Sequence, residues 1–149
     1  MTSNSMLTDH FSLKEYCYGI YRNEIKAKGE DNTLYADSVK HALLLEEFRV
    51  WLSEPMKVNA WQRPPKFNQS VGGTANSGHL YGTATDIACK IREPEFKRWY
   101  KQWQKICKAH KTVACMGLYS WGVHFESYPK WTKKDTYWKE VNGKLIYNF

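Results

Sequence analysis

The chain has 149 residues, a length that favours one domain with a real hydrophobic core. Hydrophobic residues account for 42% and charged residues for 25%, which is typical of a globular protein, and no apolar run approaches the length of a membrane span. We therefore expect no membrane insertion. The net charge of +7 favours an anionic partner: nucleic acid, an acidic lipid surface or the anionic bacterial wall. No helix-turn-helix, RNP or finger pattern occurs, so a nucleic-acid partner is not expected.

The first helix predicted along the chain begins at Asp37 as N-cap and continues to about Leu52. Apolar residues at helical spacing predict a face that packs in the core: Leu44, Phe48 and Trp51. Residues 57–61 then have the composition of a strand.

A further strand is predicted to end at Ala88. Because successive side chains of a strand point to opposite sides, Ala84, Asp86 and Ala88 share one face, and the alanines leave room around the carboxylate. The preceding residues, 71–77, form a turn-rich loop, and His79 is expected where this loop enters the strand. A loop histidine and a strand carboxylate can therefore meet.

A second helix is predicted from Glu95 to His110. Its apolar positions recur at helical spacing, with lysines on the other face: Trp99, Trp103 and Ile106. We interpret His110 as a helix-end histidine that interacts favourably with the helix dipole, and not as a ligand.

Two β-hairpins are predicted in the last third of the chain. Residues 113–119 and 122–126 form the first, around a turn at residues 120–121, and it carries His124. Residues 137–141 and 144–147 flank an Asn-Gly pair, the strongest short hairpin signal. The elements together predict an α+β fold, a single domain over residues 1–149 with helices packed on a small, mostly antiparallel sheet. No linker or separate wall-binding module is evident.

Three residues have the chemistry of a zinc site. His79 and Asp86 lie seven positions apart, and His124 follows downstream on a predicted strand. Two imidazoles and one carboxylate make three protein ligands, the number that a catalytic zinc site uses so that the fourth position remains open to water.

The residues around these ligands match a known pattern, S-x-H-x-x-G-x-A-x-D, at all of its fixed positions: Ser77, His79, Gly82, Ala84 and Asp86. In this the sequence resembles the M15 group of zinc metallopeptidases, which cut peptidoglycan stem peptides and carry a second histidine downstream. The resemblance implies a hedgehog-like M15 peptidase fold and one Zn²⁺ per chain, bound by His79, Asp86 and His124.

The resemblance continues upstream and covers roughly Phe11 to Glu126. A strand ending at Arg63, a proline turn and a short helix are similar to the family, and residues 71–77 are similar to a subgroup that includes murein endopeptidases and phage lysins. By this resemblance Arg63 is expected to act as a carboxylate clamp or an oxyanion stabiliser. Ser77 is expected to cap the loop or to hydrogen-bond to a zinc ligand, and it is also assigned to substrate binding.

The general base is less clearly marked than the ligands. Many M15 enzymes have an acidic residue three positions before the second zinc histidine, where this chain has Trp121. The nearer subgroup has an acid two positions after it, where this chain has Glu126. Positions 124 and 126 of a strand face the same way, so we predict Glu126 as the base. Tyr119 and Trp121 are expected to line the substrate cleft.

The four cysteines, Cys17, Cys89, Cys107 and Cys115, show no metal-binding spacing. We interpret them as buried thiols, and the sequence leaves a disulfide open.

The first ten residues contain neither a basic region nor an apolar run, so no signal peptide is predicted. The expected protein is a monomeric zinc metallopeptidase, a peptidoglycan carboxypeptidase or endopeptidase. It would be a phage or prophage endolysin, synthesised in the cytoplasm and acting on the bacterial wall after release. Two alternatives stay open: a catalytically silent zinc-containing binding module of the same fold, and a basic phage structural or nucleic-acid-associated protein.

Overall fold

A computed structural model describes residues 5–17 and 30–149. The expectation of no signal peptide falls partly on residues 1–4, which lie outside the described residues. The described helices are Leu13–Tyr16 (α1), Ala36–Leu52 (α2), Pro65–Ser70 (α3) and Glu93–Ala109 (α4), with a 3₁₀ turn at Gly78–Tyr81. Among these residues, no helix combines the length and the apolar character needed to cross a membrane.

The strands form one six-stranded sheet in the order β1-β2-β4-β3-β5-β6. They are Lys57–Ala60 (β1), Ala84–Ala88 (β2), Ala114–Tyr119 (β3), Gly122–Ser127 (β4), Thr136–Val141 (β5) and Lys144–Tyr147 (β6). All neighbouring pairs are antiparallel except β3 and β5, which are parallel. The predicted single-domain α+β fold is therefore confirmed, with a sheet that is mixed.

The parallel pair arises from the connection after β4. Instead of folding back beside β4, the chain crosses the start of β3 and enters β5 on its far side. Asp135, the last residue of this connection, accepts a hydrogen bond of 2.9 Å from the backbone N–H of Ala114. The carboxylate thus joins the beginnings of two strands that run in the same direction.

Both long helices begin earlier than the sequence indicates. The N-cap of α2 is Tyr35, which makes no side-chain cap hydrogen bond, so the prediction of Asp37 as N-cap is wrong. Asp37 lies in the first turn, where its negative charge is favourable to the helix dipole and lies 3.6 Å from Lys40. Helix α4 includes Pro94 in its first turn, a position where the missing N–H costs no helical hydrogen bond.

The core lies between one face of the sheet and helices α2 and α4, and we call this side of the sheet the core face. Phe125 of β4 is fully buried there, with its ring centroid 4.9 Å from that of Phe48 on α2 and 5.3 Å from that of Trp103 on α4. The predicted helix stripes are buried as expected, except that Trp51 is only half-buried. His110 caps the end of α4 and pairs with Glu47 at 2.7 Å, as expected of a structural histidine.

One histidine that the sequence did not single out lies inside this core. His41 of α2 is fully buried, with Nδ1 2.6 Å from the hydroxyl of Ser127 and Nε2 2.9 Å from the hydroxyl of Thr85. Both ring nitrogens therefore have a neutral partner on the core face. Burial, aided by the charges of His124 and His79, lowers the pKa of His41 from 6.5 to about 3.

The four cysteines, all within the described residues, form no disulfide with one another. Cys17, Cys107 and Cys115 are buried and Cys89 is half-buried, which agrees with the interpretation as buried thiols. Burial raises the pKa of the Cys89 thiol to about 11. Burial raises the pKa of Cys107 and Cys115 as well, so these three thiols are protonated at neutral pH.

The hairpin of β5 and β6 forms as predicted. Asn142 and Gly143 both have positive φ angles, 53° and 78°, which a two-residue hairpin turn of this twist requires. The tight turn pairs Val141 with Lys144 and, three residues further along each strand, Trp138 with Tyr147.

Candidate metal centre and cleft

The second face of the sheet, which we call the cleft face, carries a row of paired residues across five strands. Asp86 of β2 pairs with His124 of β4, and His124 pairs with Gly117 of β3. Gly117 pairs in turn with Trp138 of β5, which pairs with Tyr147 of β6. Because paired residues point to the same side of a sheet, this register puts two predicted metal ligands and two aromatic side chains on one surface.

His79 reaches this surface from the 3₁₀ turn. Ser77 is the N-cap of the turn, and its hydroxyl accepts a hydrogen bond of 3.2 Å from the backbone N–H of His79. Nδ1 of His79 lies 2.6 Å from the backbone carbonyl oxygen of Trp61. A carbonyl oxygen only accepts, so Nδ1 carries a proton, and Nε2 faces Oδ2 of Asp86 at 3.2 Å.

His124 lies between two carboxylates. Its Nδ1 is 2.8 Å from Oδ1 of Asp86, and its Nε2 is 2.8 Å from Oε1 of Glu126. The rings of His79 and His124 have centroids 5.2 Å apart. One ligand atom each from His79, Asp86 and His124 lies within 4.8 Å of the other two.

This donor set fits a zinc ion. Atoms bound at about 2.0–2.2 Å from a tetrahedral zinc lie about 3.3–3.6 Å from one another. The separation of 3.2 Å between His79 and Asp86 is close to this range, and that of 2.8 Å between His124 and Asp86 is shorter. Two imidazole nitrogens and one carboxylate oxygen are also ligand types that zinc prefers in hydrolytic sites. The structure therefore brings together the three residues predicted as metal ligands. We refer to them as the candidate metal centre.

The electrostatics of the centre keep Asp86 ionised. Burial alone would raise the pKa of the Asp86 carboxyl, but the charges and hydrogen bonds of His79 and His124 outweigh it and hold the pKa well below its usual range. Burial likewise disfavours the charged form of His124, yet its hydrogen bonds to Asp86 and Glu126 raise its pKa to about 9. The carboxylates of Asp86 and Glu126 thus favour a positive charge on or beside the imidazole of His124.

Arg63 extends toward the same carboxylate. It follows β1, its backbone N–H donates a hydrogen bond of 2.7 Å to the carbonyl of His79, and its Nη2 lies 3.8 Å from Oδ2 of Asp86. The arginine side chain is only 18% exposed. A rigid backbone contact therefore directs a partly buried guanidinium to the edge of the candidate metal centre.

Glu126 lies below the cleft and is 3% exposed. Oε1 faces Nε2 of His124, and Oε2 accepts a hydrogen bond of 2.7 Å from the indole N–H of Trp131. Gly78 makes room for it, since a Cβ at that position would lie 2.7 Å from the carboxylate carbon. Glu126 is thus held close to His124 on the side opposite Asp86.

A cleft that reaches His124 of the candidate metal centre has a volume of about 450 Å³. Its lining comprises Thr74, Ala75, Asn76, Ser77, Tyr119, His124, Glu126, Trp131, Trp138, Leu145 and Tyr147. Ser77 and Tyr119 thus lie in the cleft. Trp121 lies at the β3–β4 turn outside the lining and stacks on Tyr119, with ring centroids 4.8 Å apart.

The sequence interpretation missed one side of this cleft. Trp131, Trp138, Leu145 and Tyr147 come from the connection before β5 and from the C-terminal hairpin. The Asn-Gly turn was a usable signal, because it implies that Trp138 and Tyr147 are paired. The parallel pairing of β5 with β3, which brings them to His124, has no local signal in the sequence.

The comparisons with known proteins agree with this geometry. The family model described as Peptidase M15 matches residues 12–124, a range that includes every residue of the candidate metal centre. The search of curated proteins found no match, and neither did the search of solved structures. The family match extends over most of the chain, and the chain therefore belongs to the Peptidase M15 family.

Proposed function

We propose that the protein is a zinc-dependent peptidase that hydrolyses an amide bond in peptidoglycan stem peptides. M15 peptidases are generally zinc-dependent, and family membership itself suggests peptidase activity. The observation that carries the proposal is the convergence of one ligand atom each from His79, Asp86 and His124, with His124 also in the lining of the cleft.

In this proposal the three residues of the candidate metal centre bind one zinc ion. Bound zinc polarises a carbonyl group and lowers the pKa of water. The protein orients the ligands through their outer atoms: the Trp61 carbonyl accepts from Nδ1 of His79, and Glu126 accepts from Nε2 of His124. Such contacts set the tautomer and the ring orientation of a metal-binding histidine.

Arg63 is proposed to bind the developing oxyanion or a carboxylate of the substrate. Its guanidinium lies 3.8 Å from Asp86, so negative charge that forms at the edge of the candidate metal centre is within its field. Its low exposure strengthens the interaction, because water screens a partly buried cation less than a surface one.

Glu126 is proposed as the general base. Of the residues described in the structure, it is the one acid in the lining of the cleft, and it lies beside His124. A base must be within reach of the proton that it removes from the attacking water. Its two oxygens already accept from His124 and Trp131, so the same residue also orients a metal ligand, and the experiment must separate these two contributions.

Peptidoglycan as the substrate is supported by charge as well as by the motif. Helix α4 carries exposed lysines along one side, Lys97, Lys101, Lys105 and Lys108, and the whole chain has a net charge of +7. A cationic surface favours association with an anionic wall. Within this proposal the protein acts as a phage or prophage endolysin, a monomer that attacks the wall after release from the cytoplasm.

The experiment that tests the proposal measures hydrolysis of purified walls with and without a chelator. We expect new amino groups to appear with the zinc-loaded protein, to stop after chelation and to return when zinc is added back. Identification of the released fragments defines the bond that is cut. A zinc-loaded protein that releases no fragment from walls or stem peptides would contradict the proposal.

The alternative of a silent binding module has one observation in its favour, the presence of Trp121 where many M15 enzymes have an acid. Such a module would bind walls in the presence of zinc and release nothing. A sedimentation assay on the same samples distinguishes it from the enzyme.

A further inference from the structure

The aromatic wall of the cleft, which we define as Trp131, Trp138, Leu145 and Tyr147, lies beyond the residues that match the family model. The match ends at residue 124, whereas the wall is built by the chain that follows. We propose that this wall is a binding subsite for a neutral pyranose ring, an N-acetylated sugar of the glycan that adjoins the cleaved peptide. This inference rests on the proposed function, because it names the part of peptidoglycan that the cleft recognises beside the peptide.

The wall is continuous with the candidate metal centre. The ring of Trp138 has its centroid 5.7 Å from that of His124, and the rings of Trp131 and Tyr147 follow at 5.8 Å and 6.0 Å from Trp138. A ligand that lies along these rings therefore extends from the candidate metal centre to the edge of the sheet.

Gly117 makes this arrangement sterically feasible. A Cβ at position 117 would lie 2.4 Å from the indole nitrogen of Trp138, too close for any real contact. Because Gly117 has no side chain, the indole of Trp138 lies flat across β3, and its N–H donates a hydrogen bond of 2.8 Å to the hydroxyl of Tyr119. The position of the wall is thus determined by packing and by a hydrogen bond.

The lining of the cleft combines apolar and polar groups. Besides the aromatic wall it includes small side chains with hydrogen-bonding groups, Thr74, Asn76 and Ser77. A pyranose ring has the same division, with C–H groups on its faces and hydroxyl and acetamido groups on its edges. Aromatic rings contact the apolar faces, while the threonine, asparagine and serine can bond to the edges.

The charge of the lining favours a neutral ligand. Among the residues that the structure describes, Glu126 is the one carboxylate in the lining of the cleft, where it is buried, and the lining contains no lysine or arginine. Within this described lining, an anionic ligand would find no cation along the wall, and a cationic ligand would find no exposed carboxylate. The N-acetylated sugars of the glycan carry no charge on their rings.

The exposure of the outer wall indicates that it is a contact surface. Tyr147 is 49% exposed and Leu145 is 43% exposed, although both point into the cleft. Ile146 of the same strand is equally exposed, at 43%, but points to the opposite side of the sheet. This residue offers a matched control for Tyr147.

Direct binding tests the subsite without catalysis. A soluble tetramer of N-acetylglucosamine is titrated into the zinc-loaded protein, and tryptophan fluorescence is followed. We expect a saturable change in the wild type and in Ile146→Ala, and binding about 3- to 10-fold weaker in Tyr147→Ala, the size of one lost aromatic contact. Circular dichroism confirms that both variants are folded.

Substrate comparison tests whether the subsite serves the reaction. A stem peptide is offered with and without its attached disaccharide, and kcat/KM is measured for each. The wild type should prefer the glycosylated peptide, and Tyr147→Ala should lose about 3- to 10-fold of that preference, mainly through KM, while Ile146→Ala retains it.

Several results would overturn the subsite: no saturable binding of the tetramer by the wild type, equal losses in both variants, or an equal loss by Tyr147→Ala on both substrates. The last result would assign the wall to a side chain of the peptide. Tetramer binding by a wild-type protein that cleaves neither substrate would instead keep the subsite and remove the proposed peptidase activity.

Discussion

The two faces of the sheet each hold a histidine in a buried setting, and the two have opposite proton affinities. On the core face, burial lowers the pKa of His41 to about 3, because its ring nitrogens meet only hydroxyl groups. On the cleft face, burial also opposes a charge on His124, but Asp86 and Glu126 raise its pKa to about 9. The comparison shows that the groups hydrogen-bonded to a buried histidine, more than burial itself, decide whether its ring can hold a proton or another cation.

This contrast predicts where the metal binds. We expect about one zinc per chain in the wild type and little or none in His124→Ala or His79→Ala, because each ligand supplies a large share of the affinity. His41→Gln should keep its zinc, since its nitrogens are engaged by the core. Metal analysis of dialysed protein measures this effect. His110→Ala, a surface histidine, is the control, and full zinc content in His124→Ala would contradict the assignment.

Glu126 accounts for part of the difference between the two histidines, because it contacts His124, whereas among the described residues no carboxylate contacts either ring nitrogen of His41. Glu126→Gln retains a carbonyl oxygen that can accept from His124, so we expect zinc binding to persist while turnover falls by about 10²–10⁴. The measurement is kcat together with zinc affinity on one preparation. A large loss of zinc with little further loss of turnover would assign Glu126 to ligand orientation instead of proton transfer.

Arg63 tests whether the edge of the cleft face contributes to catalysis. Arg63→Ala should fold normally and lose about 10²–10³ in turnover, the usual effect of removing one preorganised donor to an oxyanion. Arg63→Lys retains the charge without the planar fork and should recover only part of the rate. Wild-type kinetics in Arg63→Ala would assign the residue to the surface.

The core face has its own, smaller signature in the pH dependence of stability. The folded state holds His41 neutral down to about pH 3, whereas the unfolded chain binds a proton near pH 6.5. The free energy of unfolding therefore includes the full stabilisation from neutral His41 above pH 6.5. Below pH 6.5 this stabilisation is lost by about 1.4 kcal/mol per pH unit. Denaturant unfolding between pH 7 and 4, compared with His41→Gln, isolates it. Parallel pH profiles for both proteins would contradict the neutral state.

Local patterns predicted the parts of the site that depend on neighbours in sequence. The alternation of Ala84, Asp86 and Ala88 has period two, so one face of β2 could be assigned without knowing its partners. The Asn-Gly hairpin was equally local. The start of α2 could not be predicted in this way, because its N-cap, Tyr35, makes no side-chain cap hydrogen bond and so leaves no signal in the sequence.

The rest depends on distant contacts. The partners of His41 are 86 and 44 residues away along the chain, so nothing near position 41 marks it as a buried histidine. The aromatic wall likewise requires the parallel pairing of β3 with β5, which follows from the path of the connection after β4. Sequence motifs predicted the candidate ligands, and only the fold showed the surface beside them.

The anchors of the two candidate ligand histidines differ in how they respond to mutation. His79 is held by the main-chain oxygen of Trp61, an atom that every amino acid supplies, so its orientation is insulated from the identity of the side chain at that position. His124 is held by the side chain of Glu126, which a single codon change can replace. A substitution at position 126 can therefore change the affinity of the candidate metal centre for a metal ion, while the hydrogen bond that orients His79 is unchanged.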